Sequence, residues 1–164
     1  MSSAAATVAE EPARVRYEDP AMTAPPLFTI GYEGRTQPEY LALLRDAGVT
    51  LLVDVRRNPI SRKKGFSKSA LAQGCATLGI RYAHLPELGI ASEKRKQLET
   101  QADLDALFAQ YAREWLPQQG AALATIRAWV EAGEGVALTC FERNPAQCHR
   151  HLVAQALDLE VTHL

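Results

Sequence analysis

Residues Cys140-Phe141-Glu142-Arg143-Asn144-Pro145-Ala146-Gln147-Cys148-His149-Arg150 put two thiols, an imidazole, a carboxylate and two guanidiniums close together in the chain. Thiol chemistry uses such company: an imidazole takes the thiol proton, and nearby positive charge or a helix start lowers the thiol pKa. Cys140 is the candidate nucleophile or redox cysteine, Cys148 its resolving partner, and His149 or His84 the base. The same cluster invites a zinc reading. Compact zinc sites place paired cysteines two to four residues apart. Cys140 and Cys148 are eight apart and there is no second pair, so the spacing predicts no metal.

A second group is Asp54-Val55-Arg56-Arg57. Asp54 and Arg56 are two apart, so in a strand they point to one face. Asp54 falls in an apolar run and needs a partner. Two readings stay open: a structural ion pair with an arginine, or a catalytic aspartate. Arg56, Arg57 and Arg62 could grip phosphate, because guanidinium forks match phosphate oxygens. Arg150 joins them as a phosphate ligand. Glu33 and Glu142 are candidate acid–base carboxylates, though each could instead cap a loop or pair with an arginine. Tyr32 and His84 complete the polar set as candidate ligand contacts.

Charge supports an anionic partner at one place. The chain has 18 Lys and Arg against 19 Asp and Glu, a net charge of −1. From Val55 to Pro86 there is no acidic residue and there are seven basic ones, leaving 11 basic against 19 acidic elsewhere. The near-zero total predicts no strong global attraction to nucleic acid or membrane. The local block predicts an anionic ligand, with a nucleotide or nucleic acid as the leading class. A solvated face is the plain alternative. No apolar run approaches the ~18 residues of a membrane span. Three cysteines are too few for a secreted disulfide scaffold, so a reducing cytoplasm is expected. The residues name no cofactor.

These groups need elements to position them. Residues 1–26 are rich in Ala, Pro and Thr without apolar period and read as a disordered leader. The 164 residues otherwise suit one domain, 27–164. Strands are expected at Leu27–Gly31, Val49–Val55, Ile80–Leu85, Gly135–Phe141 and Leu159–Leu164. Thr36-Gln37-Pro38-Glu39 is a capping box that starts a helix over Tyr40, Leu41 and Leu44. Ser67 could cap a second helix, with Leu71, Cys75 and Leu78 inward. Residues 86–99 read as loop. Helices follow after Thr100 and around Leu123–Val130. Asn144 with Pro145 opens the last helix, whose free N–H groups favour an anion. The alternation predicts a single α/β domain: a mainly parallel sheet of about five strands flanked by helices, in Rossmann-like layers. Ligands bind beyond the carboxyl ends of such strands, where all the candidates lie.

Several motifs in this order resemble one bacterial family. They are Thr29-Ile30-Gly31-Tyr32-Glu33-Gly34-Arg35, Val53-Asp54-Val55-Arg56, Gly65-Phe66-Ser67-Lys68, Leu85-Pro86-Glu87-Leu88-Gly89, Cys140-Phe141-Glu142, Cys148-His149-Arg150 and Val161-Thr162-His163-Leu164. The family is the domain of unknown function 488. Phe141 departs from the small residue expected there. The resemblance implies a cytosolic α/β domain with a polar pocket and no settled activity. Three functions remain open: phosphate recognition with hydrolysis, cysteine-based thiol or metal chemistry, and a non-catalytic binding module.

Overall fold

Five apolar runs become strands: β1 Leu27–Gly31, β2 Leu51–Asp54, β3 Arg81–His84, β4 Val136–Cys140 and β5 Val161–His163. The computed structural model describes residues 25–164, so the leader expected over 1–26 lies almost wholly outside the described residues. All strands pair in parallel, in the order β3-β2-β4-β1-β5. β1, β2 and β4 are buried along their whole length. Burial on both faces is what allows their continuous apolar runs.

The described residues form six α-helices: α1 Gln37–Asp46, α2 Lys68–Thr77, α3 Ser92–Arg95, α4 Gln101–Gln110, α5 Gly120–Glu131 and α6 Arg150–Leu157. Alternate strand residues feed two apolar layers. Phe28, Ile30 and Leu52 pack with Tyr40 and Leu44 of α1 and Leu71 of α2. Leu51, Val53, Leu138 and Cys140 face the opposite layer, built by α4, α5 and α6. The single α/β domain architecture is therefore as expected. No helix among the described residues is long and apolar enough to cross a membrane.

Local chemistry explains the ends. Thr36 and Glu39 form the expected capping box, and Thr100 and Asp103 form another. Ser67 stands at the start of α2 without capping it. Its hydroxyl instead accepts from the Ser61 amide and donates to the Ser61 carbonyl, closing the basic loop. Three expectations are corrected. Leu78 is 39% exposed, because α2 has already ended and the chain turns through Gly79. Residues 86–99 hold a 3-10 turn at Pro86–Leu88 and α3. Asn144 opens only a three-residue 3-10 turn, and α6 begins at Arg150. The break falls at Cys148, whose extended backbone accompanies a wholly buried side chain.

Candidate active site

The site grows from the end of β4. After Cys140 the chain loops out and returns at Cys148 and His149, just before α6. Cys140 Sγ, Cys148 Sγ and His149 Nδ1 then all lie within 4.8 Å of one another. His149 Nδ1 is 3.8 Å from the Cys140 sulfur and 3.9 Å from that of Cys148. The histidine tautomer follows from its partners. Nε2 lies 2.9 Å from the Val55 carbonyl oxygen, which only accepts, so Nε2 carries the proton. Arg95 can only donate, and its Nη2 lies 3.1 Å from Nδ1. Nδ1 is therefore the acceptor nitrogen, facing the Arg95 N–H with both thiol sulfurs beside it.

Arg95 comes from α3 and also pairs with Glu142 at 2.7 Å. Burial opposes its charge, but the Glu142 carboxylate outweighs that and raises its pKa. Burial likewise opposes the Glu142 carboxylate, yet Arg95 holds it below its usual range. Glu142 Oε2 is 3.7 Å from the Cys140 sulfur. A carboxylate held ionised so firmly is a poor base at neutral pH, which leaves His149 as the better proton acceptor. Burial pushes the Cys148 thiol well above its ordinary value. A pocket of about 160 Å³ opens over Cys140 and His149, with Tyr32, Arg57, Arg95 and Ile90 in its walls.

The profile of the family "Domain of unknown function DUF488" matches residues 37–157. The chain belongs to the DUF488 family. No curated protein matches it. Two crystal structures of the "Putative phosphatase (DUF442)" from Shewanella putrefaciens CN-32 are similar in part. Each is 16% identical; they cover 84% and 82% of this chain and 69% and 70% of theirs, with TM-scores of 0.41 and 0.40.

In this DUF488 domain the predicted residues divide sharply. Cys140, His149, Tyr32 and Arg56 line the pocket, and Glu142 touches Cys140. Asp54 and Arg56 form a buried two-pronged ion pair, at 2.9 and 2.7 Å. Asp54 also accepts from the Arg56 amide at 3.1 Å and from Tyr82 Oη at 2.5 Å. The remaining Arg56 nitrogen donates to the Phe66 carbonyl at 2.7 Å and to Tyr32 Oη at 3.1 Å. Of the two readings open in the sequence, the structure shows the ion pair.

Arg150 requires correction as a phosphate ligand. It is wholly buried and its guanidinium clamps the Glu142 and Arg143 carbonyls. Glu33 is exposed and caps the same loop through the Arg143 amide, at 3.0 Å. His84 bonds the Arg56 carbonyl oxygen at 2.7 Å. Arg62 is exposed in the β2–α2 loop. Neither His84 nor Arg62 lines the pocket. Arg95 was not predicted: it sits in the charged run Glu93–Lys96, on a segment read as loop, and carries no pattern of its own. The spacing argument against metal also misses that the loop folds back and brings three donors together.

The three thiols should differ in reactivity. Burial lifts Cys75 to about 11 and pushes Cys148 well above its ordinary value. In the native protein at pH 8, iodoacetamide should label Cys140 alone, and all three after unfolding. Peptide mass mapping reads this, and equal labelling of Cys148 would contradict it. The raised Cys75 value also sets a pH window. Its contribution to stability is full below pH 9, its ordinary value, and is lost as pH rises to about 11.

Proposed function

We propose that the Cys140 pocket is a cysteine-dependent site for hydrolysis of phosphate monoesters. One observation carries the reading: the Cys140 thiol stands in the pocket beside a histidine whose Nδ1 is fixed as an acceptor, with Arg95 on that same nitrogen. The thiol proton passes to His149 Nδ1 as the Arg95 N–H turns from that nitrogen toward the sulfur, where its charge stabilises the thiolate. Cys140 Sγ attacks phosphorus; the S–P bond forms and the ester P–O bond breaks. The imidazolium returns its proton to the departing alkoxide. Water, losing a proton to Nδ1, then cleaves the S–P bond, giving inorganic phosphate and the thiol. Arg57 and Arg95 supply positive charge for the phosphoryl oxygens.

The test compares alkylation of Cys140 by anionic iodoacetate and neutral iodoacetamide, alongside phosphate release from para-nitrophenyl phosphate. Iodoacetate should gain about tenfold over iodoacetamide relative to free cysteine, as ~1.4 kcal/mol of anion recognition implies. Inorganic phosphate should protect, and Arg95→Gln should remove the gain. Alkylation no faster than free cysteine, with no protection and no phosphate release, would overturn the reading.

A second reading has its own observation. Cys140, Cys148 and His149 present two sulfurs and a nitrogen within 4.8 Å, as a zinc site with one open position does. The Val55 carbonyl on Nε2 is also the kind of outer contact that orients a metal-binding histidine. Arg95 competes, since its N–H already occupies the Nδ1 lone pair. One zinc per chain in purified protein, lost in Cys148→Ala, would favour this reading over the nucleophile.

A further inference from the structure

The acid-free basic segment resolves into two kinds of residue. Arg56 pairs with Asp54 and Arg81 with Glu134. Arg57, Arg62, Lys63, Lys64 and Lys68 make no ion pair among the described residues. Four of these five are exposed and Lys63 is half-buried. All five lie between the end of β2 and the first residue of α2. That loop is firmly built. Ser67 closes it on Ser61, Gln37 Nε2 donates to the Gly65 carbonyl at 2.7 Å, and the Lys68 amide donates to Pro59 at 2.9 Å. The backbone that carries these cations is therefore held in place.

The loop begins at the pocket, because Arg57, Asn58 and Ile60 are also pocket wall. Two apolar side chains stand open at the same mouth: Ile60 is 83% exposed and Phe141 43% exposed. The Phe141 ring stands edge-on to Tyr32, with centroids 5.3 Å apart. Unpaired cations on a loop that walls the pocket, with an open aromatic ring at its mouth, are the combination that binds a flexible polyanion with unpaired bases. The rest of the chain is acidic and would repel such a polymer, confining it to this strip.

We infer that the substrate is the terminal phosphate of a single-stranded nucleic acid. Its backbone lies along Arg62, Lys63, Lys64 and Lys68. Its last base stacks on Phe141, and its end phosphate enters the Cys140 pocket. Only the last placement rests on the phosphatase reading; strand binding does not need the thiol.

The experiment uses a fluorescent oligothymidylate of about 12 nucleotides, within the span of one small single-strand site, bearing a 5′-phosphate. Anisotropy is followed against salt, and phosphate release is measured in parallel. Replacing Arg62, Lys63, Lys64 and Lys68 together by serine should flatten the log affinity–log salt slope by about 0.7 per lost contact. Phe141→Ala should weaken binding about tenfold, as loss of one stacked base does. These side chains are exposed or half-buried, so circular dichroism should show an unchanged fold. Cys140→Ser should bind like wild type and release no phosphate. No binding at low salt, an unchanged slope in the fourfold variant, or equal affinity for a duplex would overturn the inference. Strand binding without phosphate release by wild type would overturn the Cys140 placement alone.

Discussion

Replacing Arg56 by alanine should destabilise the domain by about 3–5 kcal/mol, the cost of stranding one partner of a buried ion pair. Asp54 is 0% exposed and would keep only Tyr82 and its own loop amide as partners. The change would also strip a donor from the Phe66 carbonyl and from Tyr32 Oη. Phe66 stacks on Tyr32 with centroids 4.6 Å apart, so the pocket wall would loosen with the pair. Domains of this kind keep only about 5–15 kcal/mol in all, so a fifth or more of the total is at stake. Arg56→Lys should recover little, because an ammonium cannot make the two-pronged contact. Urea unfolding at neutral pH measures this. A variant as stable as wild type, but with phosphate protection of Cys140 lost, would make Arg56 a ligand contact instead.

The contrast between Arg56 and Arg57 shows what a sequence can carry. The alternation Asp54, Arg56 correctly puts two side chains on one face, and the apolar run correctly demands that Asp54 find a partner. Nothing local says that Tyr82, Phe66 and Tyr32 will use up the remaining atoms, because these come from β3, the β2–α2 loop and the end of β1. The same holds for His149. Its place beside Cys140 was legible from the chemistry of the segment. Its tautomer depends on Val55, which is distant in sequence and arrives because β4 pairs with β2. Arg95 was invisible for the same reason: a charged run on a short helix reads as solvated until the tertiary fold sets it between Glu142 and His149. The start of α6 was misplaced because Asn144-Pro145 is a sound helix opening locally. Burial of Cys148 ends that turn, and burial is a tertiary demand. Periodicity and capping thus gave the layers and the edge, while the division of arginines between fold and pocket required the topology.

Gly31→Ala should slow Cys140 chemistry about 100-fold, the order expected when a reacting group is displaced by about 1 Å. Gly31 is the last residue of β1, and its need is for space. A methyl there would overlap the Glu142 carbonyl and the Arg143 backbone. Backbone cannot step aside as a side-chain tip can, so the loop after β4 must retreat. That loop is pinned at several points: the Glu33 amide on the Phe141 carbonyl, the Arg143 amide on the Glu33 carboxylate, and Arg150 on the Glu142 and Arg143 carbonyls. Shifting it moves the Glu142 carboxylate, and with it the Arg95 guanidinium that orients His149. The sheet itself should lose only about 1–3 kcal/mol, as overpacking usually costs. Gly89→Ala is the matching change next to Ile90 of the pocket wall, where a methyl would strike the Arg57 backbone. Gly120→Ala is the control, since a methyl there meets nothing and alanine favours the helix. Iodoacetate alkylation of Cys140 in the three variants decides the matter. A Gly31→Ala protein that alkylates like wild type would mean that Cys140 acts independently of the Glu142–Arg95–His149 chain, and that the loop only covers the pocket.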